Sequence, residues 1–340
     1  MTVASALRAG RAQNRALQIH RSPLVRLVVK RVLMAVPIVI GVSLLTFWVL
    51  SLVPGNAAQQ LLGIDATAKQ VRTLELQLGL DQSGPERYLS WLQAALTGDL
   101  GTSLVGGQPV TQLLGSRLPV TAEIVGLAFL VSLLCAIPLA LLAARRPNGL
   151  LDRVSMLVGV TGLSMANYVL ALLLVLVFAV ELGVLPAIGF VPMSQSVLGN
   201  LQSVTLPVLA IAFPLFCFYT RFLRGDLVEQ LESQDYVDTA RAKGVGPWRV
   251  LVFHAFRNSS FGLLTLVGLN VGTLIGGTVI IEQIFAIPGM GQLLLQAINT
   301  RDTVVVQACV VVFAVVAVVA NLVVDLLYAV LDPRIRYGSD

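Results

Sequence analysis

The sequence predicts an all-α, polytopic integral membrane protein with about six transmembrane helices. The first observation is composition: of 340 residues, 56% are hydrophobic and 12% are charged, whereas a soluble domain carries about a quarter charged residues. The second is a set of six apolar runs, each near the ~20 residues that cross a bilayer as a helix. The third is an uneven distribution of Lys and Arg among the connecting segments, which is typical of membrane proteins.

The predicted spans follow the apolar runs in chain order. They are Arg31–Val53, Leu118–Ala144, Val154–Val180, Val204–Leu223, Phe261–Ile287 and Thr303–Leu331. Pro207 and Pro214 predict a bend in the fourth span, because proline removes a helix hydrogen bond. The polar stretch GLSMANY weakens the third span and leaves its ends loosely defined.

The basic residues predict the orientation of the chain. Of the 23 Lys and Arg residues, those on the predicted outer side are Lys69, Arg72, Arg87, Arg117 and Arg301. The others flank the opposite ends of the spans, so both termini are expected in the cytoplasm. The net charge of +5 is thereby explained by topology, and no nucleic-acid partner is needed. The Arg-rich N-terminal stretch also fits a transit peptide, although anchoring on the cytoplasmic side explains the same charges.

This topology divides the chain into five parts. We expect a basic cytoplasmic segment (1–30), the first span (31–53), an extracellular or periplasmic helical subdomain (54–117), a five-helix core with a cytoplasmic loop at 224–260 (118–331), and a cytoplasmic tail (332–340). Two amphipathic stretches, KQVRTLELQLGL and PERYLSWLQAAL, predict the helices of the outer subdomain. Its expected use is contact with a substrate-binding protein or stiffening of the outer face.

The residues that enzymes need are not arranged for catalysis. The three lysines lie outside any Gly-rich phosphate-binding pattern, so ATP hydrolysis is not expected on this chain. The two histidines and the separated Cys135, Cys217 and Cys309 predict neither a metal site nor a disulfide framework. We therefore expect no catalytic residue, no metal and no cofactor on the chain itself.

The segment Ser233–Ser260, SQDYVDTARAKGVGPWRVLVFHAFRNSS, predicts two short helices joined by a glycine-rich corner. Asp235 is the predicted N-cap of the first helix, and Gly244 is expected to end it in a left-handed conformation. Pro247 suits the start of the second helix, Pro247–Asn258. The first helix has a small apolar face, formed by Tyr236, Val237 and Ala240. A helix lying on the membrane surface would show a wider apolar face, so a groove on a partner protein is the favoured binding site.

The same segment resembles the cytoplasmic EAA loop of ABC-importer permeases. Asp238, Thr239 and Ala240 stand where that loop has Glu-Ala-Ala, and Gly244 falls at its required spacing. The stretches VPGNAAQQLLG, RYLSWLQAALTGDLGTSLVGGQPV, IFAIPGMGQLLLQAINTRD and LLYAVLDPRIRYG are similar to the first permease subunit of the dipeptide, oligopeptide and nickel branch. The chain departs from the pattern where Asp and Thr replace Glu and Ala, and where proline is missing from the element at His254–Arg257. The resemblance extends from about Arg26 to the end.

The resemblance implies the type I permease architecture in a bacterial inner membrane. It implies a second homologous permease subunit, two cytoplasmic ATPase subunits that carry ATP and Mg²⁺, and a substrate-binding protein outside the cell membrane. The solute would be a di- or oligopeptide or a related small molecule. The ATPase-coupling helix would comprise Asp235, Tyr236, Asp238, Thr239, Ala240, Ala242 and Gly244. The alternative is a stand-alone secondary transporter, which predicts inverted repeats and broken helices with ionisable residues at mid-membrane.

Polar residues within spans are costly and therefore mark possible sites. The candidates for the translocation path are Asn167, Asn270, Thr273, Thr278 and Glu282. Hydrogen bonds between helices explain these residues equally well, and for Glu282 a structural pairing with Arg301 is favoured over contact with a cationic substrate group. The glycines of the fifth span, Gly268, Gly272, Gly276 and Gly277, predict close packing within the bundle or against the second permease subunit. Asp325, near the cytoplasmic end of the sixth span, is interpreted as an anchor at the membrane interface.

Overall fold

The computed structural model describes residues 23–52, 67–77 and 82–331. Within these ranges the chain is helical apart from its connecting segments and an isolated β-bridge between Thr102 and Pro109. The predicted cytoplasmic tail and residues 1–22 of the predicted N-terminal segment lie outside the described residues. The helices, in chain order, are α1 (Pro23–Ser51), α2 (Ala68–Gln77), α3 (Gly84–Leu96), α4 (Val110–Arg145), α5 (Leu150–Ser164), α6 (Asn167–Leu174), α7 (Val197–Ser233), α8 (Asp235–Ala242), α9 (Phe256–Ile284), α10 (Met290–Asn299) and α11 (Thr303–Leu331).

The prediction of about six spans is confirmed. Among the described residues, five helices are long and apolar enough to cross a membrane, and the number reaches six when the bent pair Leu150–Ser164 and Asn167–Glu181 is counted as one span. Helix α11 coincides with the predicted sixth span, whereas α4 begins at Val110 and α7 continues to Ser233. Both helices therefore extend beyond the predicted spans, α4 into the predicted outer subdomain and α7 into the predicted loop from residue 224, while the predicted domain boundaries stay predictions. Hydropathy reports only the apolar part of a helix, and both helices continue past it with polar turns.

The third predicted span is two helices that meet at 103°. Met165 and Ala166 have extended backbones between α5 and α6, so the α5 hydrogen-bond ladder stops at Ser164. Helix α6 restarts with amides bonded to the Ala166 carbonyl and continues as the π-helical segment Val175–Glu181. The polar stretch that weakened the third span in the sequence is the break itself.

Helices α4 and α7 form the centre of the bundle and pack along each other. Helix α4 buries a stripe with a period of four residues, Ile124, Ala128, Ser132, Ala136, Ala140 and Ala144. Small side chains at this spacing let two helices approach closely, and close packing drives helix association in lipid. Apolar residues of α6, α7 and α9 complete the same core.

The first and last spans are joined at one end by an ion pair. The Arg31 guanidinium donates to both carboxylate oxygens of Asp325, at 2.9 and 2.8 Å. Asp325, interpreted from the sequence as an interface anchor, is therefore an ion-pair partner of Arg31. Next to this contact, Gly268 of α9 lies against Val324 of α11, so this glycine serves packing within the chain.

A second, more buried ion pair fixes α5 to α7. Arg224 donates to both oxygens of Asp152, at 2.7 and 2.6 Å. The backbone amide of Asn148 donates to the same carboxylate at 2.8 Å. Three charge-assisted hydrogen bonds thus satisfy a carboxylate at the start of a membrane helix, where an unpaired charge would be costly.

The end of the bundle opposite the Arg31–Asp325 pair carries α3 and α10. Helices α2 and α3 match the two amphipathic stretches, and Pro85 lies in the first turn of α3. Asp302 caps α11: its carboxylate accepts from the Val305 amide at 3.3 Å and from the Ser103 hydroxyl at 2.6 Å. This cap ties the segment that follows α3 to the last span.

Candidate functional site

The candidate site is α8 with the corner that follows it. Gly244 has φ of +73°, the left-handed conformation predicted for it. Its amide donates to the Arg241 carbonyl at 2.9 Å, and the Val245 amide donates to the Ala240 carbonyl at 3.1 Å. These two bonds are the Schellman motif, which ends a helix at a defined residue and redirects the chain. The corner is therefore built by backbone geometry.

Helix α8 turns its apolar side towards its own chain. Val237 and Ala240 are buried in a small cluster with Val250, and Val245 packs on it. The predicted apolar face is thus confirmed, and it is occupied within the molecule. The side left exposed is polar or small, and consists of Asp235, Asp238, Thr239, Arg241 and Ala242. A partner that contacts α8 meets this second face.

Two details of the predicted hairpin are wrong. The N-cap is Gln234, and Asp235 is the first helical residue, with no side-chain cap bond. The second helix is also not separate: a helical turn, Pro247–Arg249, passes through the π-helical segment Val250–Ala255 directly into α9. Because the predicted helix 247–258 has no stop signal at its end, the corner leads directly into the fifth span.

A hydrogen-bond node joins α8 to two spans. The side-chain carbonyl of Gln230, in α7, accepts from the Tyr236 hydroxyl at 2.7 Å and from the Asn258 amide at 2.9 Å. Burial raises the pKa of the Tyr236 phenol, and the Asp226 carboxylate acts in the same direction, outweighing the Asn258 hydrogen bond. Tyr236 therefore remains a protonated donor at neutral pH. Sequence reasoning missed Gln230 and Asn258, since neither belongs to the local pattern of the helix.

The corner also contacts the end of α4. The Arg145 guanidinium lies 5.6 Å from the centre of the Trp248 ring, a cation–π contact. Trp248 otherwise remains exposed. Helix α8 is thus connected, through the corner and the node, to the ends of α4, α7 and α9.

The predicted path residues do not share one face. Asn270 and Thr273 hydrogen-bond to carbonyls of their own helix, those of Leu266 and Asn270, both at 2.9 Å. Thr273 is exposed and Asn270 half-buried, while Thr278 is buried. Asn167 is the first residue of α6 and lies at the α5–α6 break. For Asn167, Asn270, Thr273 and Thr278 the role in a path stays a prediction.

Glu282 is enclosed and only 1% exposed. One carboxylate oxygen accepts from the Thr121 hydroxyl at 2.7 Å, and the other accepts from the amides of Gly291 and Gln292 at 2.8 and 3.0 Å. The Met290 amide donates to Thr121 Oγ1 at 2.8 Å. Glu282 therefore caps α10 and ties it to α4, where its charge suits the helix dipole. This placement fits the structural alternative, with backbone amides as the partners.

Within the described ranges, no group of three His, Cys, Asp or Glu side chains is placed to hold a metal ion. The arrangement offers a polar, rigidly capped helix at one end of the spans. Its geometry suits mechanical contact with another protein.

Comparison with known proteins places this geometry in a family. The family model of binding-protein-dependent transport system inner membrane components matches residues 136–337, and the model of the corresponding N-terminal region matches residues 24–125. A putative peptide transport system permease protein of Brucella abortus (strain 2308) is 40% identical over 311 residues, covering 92% of this chain and 99% of the relative.

Two further relatives are similar over almost their whole length. A glutathione transport system permease protein of Escherichia coli O6:H1 is 36% identical over 310 residues, covering 91% of this chain and 98% of the relative. A dipeptide transport system permease protein of Alkalihalophilus pseudofirmus is 34% identical over 328 residues, with the same coverage. The chain therefore belongs to the family of inner-membrane components of binding-protein-dependent transport systems, the permease subunits of ABC importers.

Proposed function

We propose that this chain forms half of the path through which an ATP-driven importer moves peptides, and that α8 transmits the action of the ATPase subunits to the spans. The peptide class is supported by relatives named for peptide, glutathione and dipeptide transport. A second homologous permease subunit, two cytoplasmic ATPase subunits and an external substrate-binding protein complete the proposed importer. ATP and Mg²⁺ are bound by the ATPase subunits, so this chain needs no cofactor of its own.

The observation that carries the proposal is the construction of α8. Its apolar side is buried against its own chain, its end is set by the left-handed Gly244, and Gln230 ties it to α7 and α9. A displacement of α8 is therefore passed to two spans rather than absorbed in a flexible loop. A helix that merely lay on the membrane would turn its apolar side to lipid.

The proposed orientation places α8 and both termini in the cytoplasm and α3 on the outer side. It rests on the distribution of basic residues. Cysteine at the exposed Ser83 should react with a membrane-impermeant thiol reagent added to cells, and cysteine at the exposed Ser233 should not. The reverse pattern overturns the orientation.

The broken α5–α6 span is a feature that a stand-alone secondary transporter also predicts. Family membership argues for the importer, and a transport experiment with and without the ATPase subunits separates the two. The chain purified alone in lipid should not hydrolyse ATP, and transport should require the ATPase subunits. Transport of a labelled dipeptide by the chain alone, driven by an ion gradient, would establish the alternative.

The sharpest test of α8 is Gly244→Val. At φ of +73° a β-branched side chain is disfavoured by about 1–2 kcal/mol, although a Cβ at this site meets no atom within 4 Å. We expect near-normal membrane abundance, reduced dipeptide uptake, and ATPase subunits that co-purify less or hydrolyse without transport. Gly244→Ala should show a smaller effect in the same direction.

Gly246 supplies the matched control. It lies two residues away, has an ordinary φ of −61° and also has open space at its Cβ position. Gly246→Val should therefore retain most uptake and hydrolysis. If Gly244→Val transports as well as Gly246→Val at equal abundance, α8 is not the coupling element. If the wild-type importer takes up no peptide but couples hydrolysis to another solute, only the substrate class is wrong.

A further inference from the structure

Helix α3, assigned to the outer subdomain by sequence, is bonded to the interior of a membrane span. The Tyr88 hydroxyl lies 2.8 Å from the Ser43 hydroxyl and 3.4 Å from the Ile40 carbonyl of α1. The Phe47 and Tyr88 rings are 5.5 Å apart, and Arg87 lies 5.8 Å from the Phe47 ring centre. These contacts hold the first half of α3 beside residues 40–47 of α1, below the end of that helix at Ser51.

Two contacts between α1 and α11 show how far Tyr88 lies from the other end of the spans. The Arg31–Asp325 pair marks one level, and the Gln307 amide donating to the Ser43 carbonyl at 2.8 Å marks the other. At ~1.5 Å per residue, the levels are ~18 Å apart along α1 and ~27 Å apart along α11. Both distances are shorter than the ~30 Å hydrocarbon core. If the ion pair lies at one edge of the hydrocarbon core, the opposite edge is farther away than Ser43. Ser43 and the Tyr88 hydroxyl therefore lie within the hydrocarbon core.

The surface of α3 is divided to match this position. At 100° per residue, Tyr88, Trp91 and Ala95 face α1, and an adjacent apolar stripe is formed by Pro85, Leu89, Leu92 and Leu96. Leu89 is 55% exposed and Leu96 80% exposed. The next stripe is polar and exposed, and consists of Glu86, Ser90, Gln93 and Thr97. One helix thus presents a protein-facing, an uncovered apolar and a polar side.

We propose that α3 is an in-plane helix of the membrane interface, embedded in the leaflet opposite the Arg31–Asp325 pair, with lipid acyl chains against Leu89 and Leu96. The occupant is lipid because α3 lies against a membrane span, at a level where that span itself exposes apolar side chains, including Leu45 and Trp48. The polar stripe then faces water and headgroups, as in amphipathic interfacial helices. The inference requires only that the chain spans a membrane, so it stands or falls independently of the proposed transport function.

The test uses the assembled importer in lipid nanodiscs with single spin labels. Cys135 is exposed and is replaced by serine, whereas Cys217 and Cys309 are buried and are checked for background labelling. Each label's collision rate is measured with oxygen, which concentrates in lipid, and with a water-soluble nickel chelate. The ratio of the two rates reports lipid or water around the side chain.

Labels at Leu89→Cys and Leu96→Cys should behave like the lipid reference Leu45→Cys, with an oxygen-to-nickel ratio several times that of Ser83→Cys. Gln93→Cys, on the polar stripe, should match Ser83→Cys. Nickel accessibility at both leucine positions overturns the proposal in favour of a water-exposed helix. Screening from both reagents overturns it in favour of a protein partner. If one leucine variant fails to assemble, the other decides.

Discussion

The Glu282 carboxylate leaves no room for a side chain at Gly289, and this predicts a measurable coupling between the two positions. An added Cβ at Gly289 would overlap the carboxyl group of Glu282. Gly289 has an extended backbone that any residue adopts, so the obstacle is steric alone. Gly289→Ala should therefore destabilise the protein while Glu282 is present, and should be tolerated once that side chain is removed.

The expected magnitudes follow from the contacts. Glu282→Ala leaves the Thr121 hydroxyl and two α10 amides without their acceptor, at about 1–3 kcal/mol for each buried donor. The hydroxyl can rotate and the Gln292 amide is only partly buried, so we expect a total of about 3–5 kcal/mol. Gly289→Ala alone should cost about 1–3 kcal/mol as an overpacked site. In the Glu282→Ala background the same change should cost less than about 0.5 kcal/mol.

Thermal unfolding with a thiol-reactive dye measures all four variants of this cycle. Cys217 and Cys309 are buried and become reactive on unfolding, while the exposed Cys135 gives a constant background. For a chain of this size, 1 kcal/mol corresponds to a shift of about 2 °C in the transition midpoint. Gly272→Ala serves as the control, since its Cβ would meet only Ala317 at 3.9 Å. If Gly289→Ala shifts the midpoint equally in both backgrounds, the packing argument is refuted.

Three further outcomes follow from the other contacts. Asp152→Asn should lower stability by about 2–3 kcal/mol, because Arg224 is left mostly buried without its counter-charge; a midpoint unchanged in the same dye assay would contradict this. Arg31→Ala should cost less than about 1 kcal/mol, because its pair with Asp325 is solvent-exposed, and a larger loss would show that the pair is shielded in the membrane. Tyr236→Phe should keep normal membrane abundance but reduce the amount of solute transported per ATP hydrolysed. In the wild type this transport-to-hydrolysis ratio should stay constant up to about pH 9, because the raised pKa keeps the Tyr236 hydroxyl protonated. An unchanged ratio in Tyr236→Phe would exclude the node from coupling.

Local chemistry explains what could be predicted from the sequence. Helix α11 has its predicted bounds because its apolar run coincides with the helix and Asp302 caps it from outside. The end of α8 was predictable because Gly244 acts through its own backbone. The buried stripe of α4 was not predicted, although small residues recur at every fourth position from Ala128 to Ala144.

The missed features depend on residues distant in the chain. Arg31 and Asp325 are 294 positions apart, and Thr121 and Glu282 are 161 apart; no local pattern pairs them. The α5–α6 break contains no proline, so only its polar residues signalled it. Asp235 failed as a cap because the chain enters α8 one residue earlier, and cap chemistry alone does not choose between neighbouring starts.

The close contact of α4 with α7 has a consequence for how the molecule can change shape. The small buried side chains of α4 share one core with larger side chains of α7, including Leu206, Tyr219 and Leu223. Close, interdigitated packing of this kind resists small sliding displacements. We therefore expect α4 and α7 to move as one rigid unit through the transport cycle. Hinge motion should be concentrated at Met165 and Ala166, where the backbone hydrogen-bond ladder is already interrupted. The distance between spin labels on α4 and α7 should be the same in nucleotide-free and ATP-bound importers, whereas the distance between labels on α5 and α6 should change. A change in the α4–α7 distance would show that the two helices do not move as one unit.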